Sequence, residues 1–152
     1  MITLDDIRKP VTAELAAFDE FVERQFTAEG ELLSDMLRYA LSSRGKGIRP
    51  MLVMLSAAMN APVKGVSLGR RASLAAMLVE MIHVASLIHD DVIDEAEMRR
   101  GKPSVNARWP SHKAGILGEY FRARNMETGL QNGQFALVTT TCVPVEGRWS
   151  GC

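Results

Sequence analysis

From Leu74 to Ile88 the chain leaves water almost no side to approach. Leu74, Met77, Leu78, Val79, Met81, Ile82, Val84, Ala85, Leu87 and Ile88 spread right round a helical turn. A helix apolar on every side needs neighbours on every side, so it belongs inside a bundle of helices. The stretch Leu74 to Lys102 therefore predicts one long central helix that turns polar at Asp90. Its few polar residues are the informative ones. At ~100° per residue, His83, Asp90 and Asp94 fall within an arc of roughly 40°. Asp91 lies on the next strip round. Carboxylates crowded at a helix C-terminus repel one another and oppose the helix dipole, so a cation must offset them.

Mg²⁺ suits that need, because it takes one or two carboxylates and completes its shell with waters and phosphate oxygens. Asp90 and Asp94, at i and i+4, point the same way and can share such an ion. Five residues past Asp94 come Arg99-Arg100, followed by Gly101-Lys102-Pro103. Carboxylates beside an arginine pair fit a metal-bound diphosphate, where metal and guanidinium both neutralise phosphate oxygens. The competing reading is an acidic helix end solvated beside a basic loop.

At 152 residues the chain is at most one ordinary domain. Eighteen basic residues cancel eighteen acidic ones, so net charge points to no nucleic-acid partner. Asp5 and Asp6 interrupt the N-terminal stretch where a secretory signal would need an apolar core. Glu80 and His83 break the apolar run, which argues against a membrane span. Cys142 and Cys152 are too few and too terminal for a disulfide framework, so a cytoplasmic location is expected.

In chain order, Leu15, Phe18 and Val22 mark a first helix within Leu4–Phe26, regular only after Pro10. Gly30 breaks the pattern, and Glu31 to Ser42 reads as a second helix. A third runs from Pro50 through Ala58. Asn60 to Gly65 is expected to be a loop, with Ser67 capping the central helix. Pro103 to Pro110 reads as a connection. Ser111–Asn125 and Thr128–Thr140 read as two weaker helices divided near Gly129 or Gly133. No strand alternation is evident, so the fold class is all-α.

Between the second and third helices stands Arg44-Gly45-Lys46-Gly47-Ile48-Arg49-Pro50. Its glycines let backbone approach a ligand, and its basic side chains precede the positive end of a helix, a setting for phosphate. It is no Walker loop, since G-x-x-x-x-G-K-S/T and a preceding strand are both missing. Alone, a short basic loop of this kind is more often solvated surface.

Three motifs in this order resemble the trans-isoprenyl diphosphate synthase (polyprenyl synthetase) family. Gly45-Lys46-Gly47-Ile48-Arg49-Pro50 is similar to its basic loop. Asp90-Asp91-Val92-Ile93-Asp94 is similar to its first aspartate-rich motif, D-D-x-x-D, and Arg99-Arg100-Gly101-Lys102-Pro103 to its R-R-G-x-P. The resemblance covers Leu4 to Thr140 and implies part of an isoprenoid-synthase-type helical bundle around an Asp-rich helix. It implies head-to-tail prenyl transfer from an allylic diphosphate to isopentenyl diphosphate. Lys46, Arg49, His83 and Arg100 would hold the isopentenyl diphosphate. Asp90 and Asp94, supported by Asp91, would bind Mg²⁺ on the allylic diphosphate, which Arg99 would also contact. Ala85 and Ser86, both small, would leave room for a long product, in a tunnel continuing past Met81 and Leu78. A complete enzyme of this kind is expected to be a homo-oligomer, a dimer.

The chain departs from that family in four respects. Glu119 stands in Gly118-Glu119-Tyr120 where an aspartate is usual, and Arg122 where an apolar residue is usual. No second aspartate-rich motif is present. Residues 142–152 show neither helical period nor likeness. Residues 1–141 are thus expected to be the N-terminal part of a polyprenyl synthetase domain, truncated and inactive alone. Two other readings stand beside the enzyme: a non-catalytic subunit or regulator of a full-length synthase, and an isoprenoid cyclase. The Lys46/Arg49 loop disfavours the cyclase, which takes no isopentenyl diphosphate.

Overall fold

The computed structural model describes residues 1–61 and 68–142, without the side chains of 141 and 142. Its helices are α1 (Leu4–Arg8), α2 (Thr12–Gln25), α3 (Glu31–Ser42), α4 (Ile48–Met59), α5 (Gly69–Ile93), α6 (Val105–Arg108), α7 (Ser111–Gln131) and α8 (Phe135–Cys142). Lys9–Val11 forms a 3₁₀ turn, and β1 (Met98–Arg99) pairs with β2 (Lys102–Pro103). Among the described residues the fold is all-α apart from that hairpin of two two-residue strands.

Local chemistry sets most of these boundaries. Thr3 and Asp6 cap α1 reciprocally, each side chain meeting the other's backbone N–H. Pro10 sits in the 3₁₀ turn, so the first helix divides in two instead of simply starting late. Gly30, at φ +101°, supplies the break before α3. The third helix starts at Ile48, two residues before the expected Pro50, because proline is tolerated in a first helical turn. Helix α5 begins at Gly69 with Leu68 at its N-cap position, which offers no side-chain cap. The expected cap Ser67, most of the loop with Pro62, and the tail beyond Cys142 lie outside the described residues.

Helix α5 is the axis of the bundle. Ala72, Leu74, Ala76, Met77, Leu78, Met81, Val84, Ala85 and Ile88 are all buried on it. It is long and apolar enough to cross a bilayer, with mean hydropathy 1.6 in its most apolar window, yet 56% of that window is buried in protein. Its principal neighbours are α7 and α4. Asn125 of α7 is buried and donates to the Leu78 carbonyl at 2.9 Å. A Cβ at Gly118 would lie 2.6 Å from the His89 ring, so only glycine lets α7 approach α5 this closely. Helix α7 also secures the end of α2. Tyr120 and Arg124 donate to the carbonyls of Thr27 and Gln25, and Phe121 stacks on Phe26 at 5.0 Å.

In the last third of the described chain the structure sharpens one expectation and corrects another. Two helices are present, α7 and α8, and of the two expected division points Gly133 is the one used: α7 runs six residues past Asn125 through Gly129, which is packed against Val138 and Leu78. The helix ends at Asn132 and Gly133, the latter at φ +70°. Pro103–Pro110 is no plain connection: Ser104 caps α6 by accepting from the Ala107 N–H at 2.9 Å.

Candidate active site

Asp90, Asp91 and Asp94 lie at the C-terminal end of α5, and the structure divides them. Asp91 is buried, 4% exposed at its side chain, and accepts both Nε and Nη2 of Arg99 at 2.6–2.9 Å. A bidentate, charge-assisted pair of this kind consumes the carboxylate. Asp90 and Asp94 are exposed, and among the described residues nothing bonds to either side chain. The Arg99 guanidinium is held more firmly protonated than usual, first by its bond to Asp91 and then by the fields of Asp91, Asp90 and Asp94.

The arginine pair is presented by the hairpin, which periodicity did not disclose. Met98 faces Pro103 and Arg99 faces Lys102, leaving Arg100-Gly101 as a two-residue loop. Both loop residues have positive φ, +52° and +76°, the pattern of a type I′ turn. A left-handed arginine is strained, and its side chain shows what holds it there. Arg100 donates to the Ser43 carbonyl at 3.2 Å and lies against Gly45, where any Cβ would collide with the guanidinium. The glycine of the basic loop thus admits the arginine of the hairpin.

His83, one side of α5 and the hairpin arginines enclose a cleft, with Tyr39 of α3 and Ser43 just past its end opposite. Tyr39 donates to the Pro103 carbonyl at 2.7 Å, and Arg108 lies over its ring at 4.6 Å, which fixes the cleft's outer wall. Burial lowers the His83 pKa from its ordinary 6.5, and Arg49, Arg100 and Arg99 push it the same way, with Asp90 opposing. The ring is neutral at pH 7 in a cationic surrounding. Lys46 and Arg49 are exposed at the start of α4; the Lys46 carbonyl accepts from Arg8. The field of Arg49 reaches His83 and Glu80, which places the basic loop beside this wall of α5.

Ala85 and Ser86 part company. Ala85 is 3% exposed and shares its buried side with Met81 and Leu78, so the expected open path along that side is closed by core packing. Ser86 is exposed. Above it Ile82, Val79 and Ala75 are only partly covered, and this open stripe leads down to Asp90. Helical geometry accounts for the difference: Ser86 lies within ~40° of Asp90 and Ala85 about 140° away.

The donor set fits a hard cation. Two free carboxylates four residues apart keep their lone pairs, while the third is committed to Arg99. Among the described residues no group of three or more His, Cys, Asp or Glu forms a ready cage, so waters or phosphate oxygens would have to complete the shell. Sequence reasoning passed over Glu80, which is buried on the wall of α5 that faces the basic loop. A lone acid in an apolar run was its only signal.

A helical bundle whose buried central helix ends in free carboxylates beside a cationic cleft has the isoprenoid-synthase fold. The polyprenyl synthetase model matches residues 30–142, and the chain belongs to that family. It is 32% identical to an all-trans-nonaprenyl-diphosphate synthase (geranyl-diphosphate specific) of Rhodobacter capsulatus, over 94% of this chain and 44% of that one. It is 40% identical to heptaprenyl diphosphate synthase component 2 of Geobacillus stearothermophilus, over 75% of this chain and 34% of that one. The crystal structure of a decaprenyl diphosphate synthase from Rhodobacter capsulatus superposes with a TM-score of 0.77 at 29% identity, covering 94% and 44% of the two chains. A polyprenyl synthase from Caulobacter crescentus, complexed with calcium and isoprenyl diphosphate, shares the fold at TM-score 0.81 and 23% identity. The chain spans less than half the length of these relatives.

Proposed function

We propose that this chain forms one diphosphate- and metal-binding wall of a trans-prenyltransferase, which joins isopentenyl diphosphate to an allylic diphosphate. The observation that carries this reading is the contrast among three neighbouring aspartates. Asp91 is spent on Arg99, while Asp90 and Asp94 stay free at the mouth of a cationic cleft. A regulator that binds no substrate has no use for two exposed, unpaired carboxylates beside that cleft.

Asp90 and Asp94 would hold Mg²⁺ against the allylic diphosphate. The metal, when bound, neutralises the departing diphosphate. Arg99, whose Nε and Nη2 are held by Asp91, would offer its remaining N–H groups to the same diphosphate. Lys46, Arg49 and Arg100 would bind the diphosphate of isopentenyl diphosphate, and neutral His83 would donate a hydrogen bond to it. The apolar stripe from Ser86 to Ala75 excludes water from the growing hydrocarbon. Since Ser86 is small, the product is a long one.

Farnesyl diphosphate, labelled isopentenyl diphosphate and Mg²⁺ test the reading, with products separated by chain length. The chain is assayed beside a version extended with the second half of a polyprenyl synthetase domain. Elongation by the extended version, lost on Asp90→Ala with the fold retained, is expected; the 152 residues alone are expected to be inactive. Elongation unaffected by Asp90→Ala would refute it.

A further inference from the structure

Beneath the basic loop lies a second cavity, of ≈ 320 Å³, lined by Arg8, Asp19, Arg44, Lys46 and, from α5, Glu80. Glu80 is 2% exposed, and its Oε2 has no hydrogen-bond partner. A buried carboxylate with an unmade bond is costly, so its presence calls for a reason. The groups that face it are mostly cations. Arg44, Arg49 and Arg100 act on it electrostatically, Arg8 and Lys46 share its cavity, and neutral His83 lies one turn further along α5. The other acid, Asp19, is paired with Arg44 at 3.2 Å and lies out in solvent, 63% exposed. Burial raises the Glu80 pKa above its ordinary 4.5, and the three arginines pull it back. The charged form is thus held at a net cost, as expected of a group kept for its field and not for stability.

We propose that Glu80 is the buried counter-charge of the basic loop: a positioning residue in the cavity it shares with Arg44 and Lys46, whose negative field offsets the loop's cations without ligand and opposes a diphosphate bound to them. This rests on reading the loop as a diphosphate site. Glu80 and the diphosphate compete for the same cations, so each weakens the other's hold on them. By linkage, bound diphosphate must then favour the protonated form of Glu80.

Glu80→Gln keeps the shape and removes the charge. Binding of inorganic diphosphate, without metal and at low salt, is measured by calorimetry at mildly alkaline pH. The variant should bind about three- to tenfold more tightly than the wild type, for one charge opposing a polyanion across partly screened protein. The gap should close as pH falls and the wild-type carboxylate takes up its proton. Equal or weaker binding by Glu80→Gln at alkaline pH would overturn the proposal, since a purely structural role predicts one of those. No binding by the wild type would refute the diphosphate site itself, and this proposal with it. Should Glu80→Gln fail to fold, the wild-type Glu80 carboxyl carbon can be followed by NMR. Its titration should move to higher pH when diphosphate is added, and an unmoved or lowered midpoint would overturn the idea.

Discussion

Arg99→Met should destabilise this chain about twice as much as Asp91→Asn, although both break the same ion pair. The asymmetry comes from burial: the Asp91 side chain is 4% exposed and that of Arg99 33%. Removing the guanidinium strands a carboxylate in the interior, which costs about 3–5 kcal/mol where a pair is fully buried. Solvent reaches Arg99's side of this pair, so about 2–4 kcal/mol is the expected loss. Asp91→Asn leaves a guanidinium that can turn to water and keeps an acceptor oxygen, so the cost is about 1–2 kcal/mol. Urea unfolding with an unchanged m-value reads the difference, and a chain of this size should lose about 2–4 °C of Tm per kcal/mol. Arg99→Met combined with Asp91→Leu should recover part of the loss, because no charge is then stranded. Equal costs for the two single variants, or less than about 1 kcal/mol for Arg99→Met, would refute the buried-pair reasoning.

His83 should titrate below 6.5 in the free chain and shift upward when inorganic diphosphate binds, read from its ring proton by NMR; a midpoint that does not respond would remove His83 from the site. The sign for stability follows from the same shift. The unfolded chain takes up the proton first, so stability is lost as pH falls below 6.5 toward the folded-state value. Ala85→Phe, at a position 3% exposed, should cost about 1–3 kcal/mol by overpacking. Ser86→Phe should fold normally and, in an extended enzyme, shorten the product; equal melting temperatures for the two variants would contradict the assignment of faces.

How much of this was legible in the sequence depended on which signal each element carries. Helix α3 could be read end to end, because Gly30 precedes it and Leu33, Met36, Leu37 and Ala40 repeat on one side. Helix α5 could be read as central but not oriented. A helix apolar on every side has no period to say which face meets α7, so Ala85 and Ser86 looked alike. The β1–β2 hairpin escaped because two-residue strands show no alternation; the Arg100-Gly101 pair was the available sign of a tight turn. The division between α7 and α8 was legible as Gly129 or Gly133 without a choice between them; packing against Val138 and Leu78 is what makes Gly129 a close-approach residue inside α7 and leaves Gly133 as the break. Helical geometry set Asp90 and Asp94 on one strip and Asp91 on the next, but could not say what Asp91 meets there. Only the return of Arg99 over Asp91 separates the structural carboxylate from the free ones, and that contact depends on the turn between them.

Inorganic diphosphate titrated by calorimetry, with and without Mg²⁺, tests the central claim most directly. The wild type should bind one equivalent at the basic loop without metal and a second only when Mg²⁺ is present. Asp90→Ala combined with Asp94→Ala should abolish the second and spare the first, and Lys46→Ala combined with Arg49→Ala should weaken the first. Undiminished Mg²⁺-dependent binding after loss of both Asp90 and Asp94 would contradict the account.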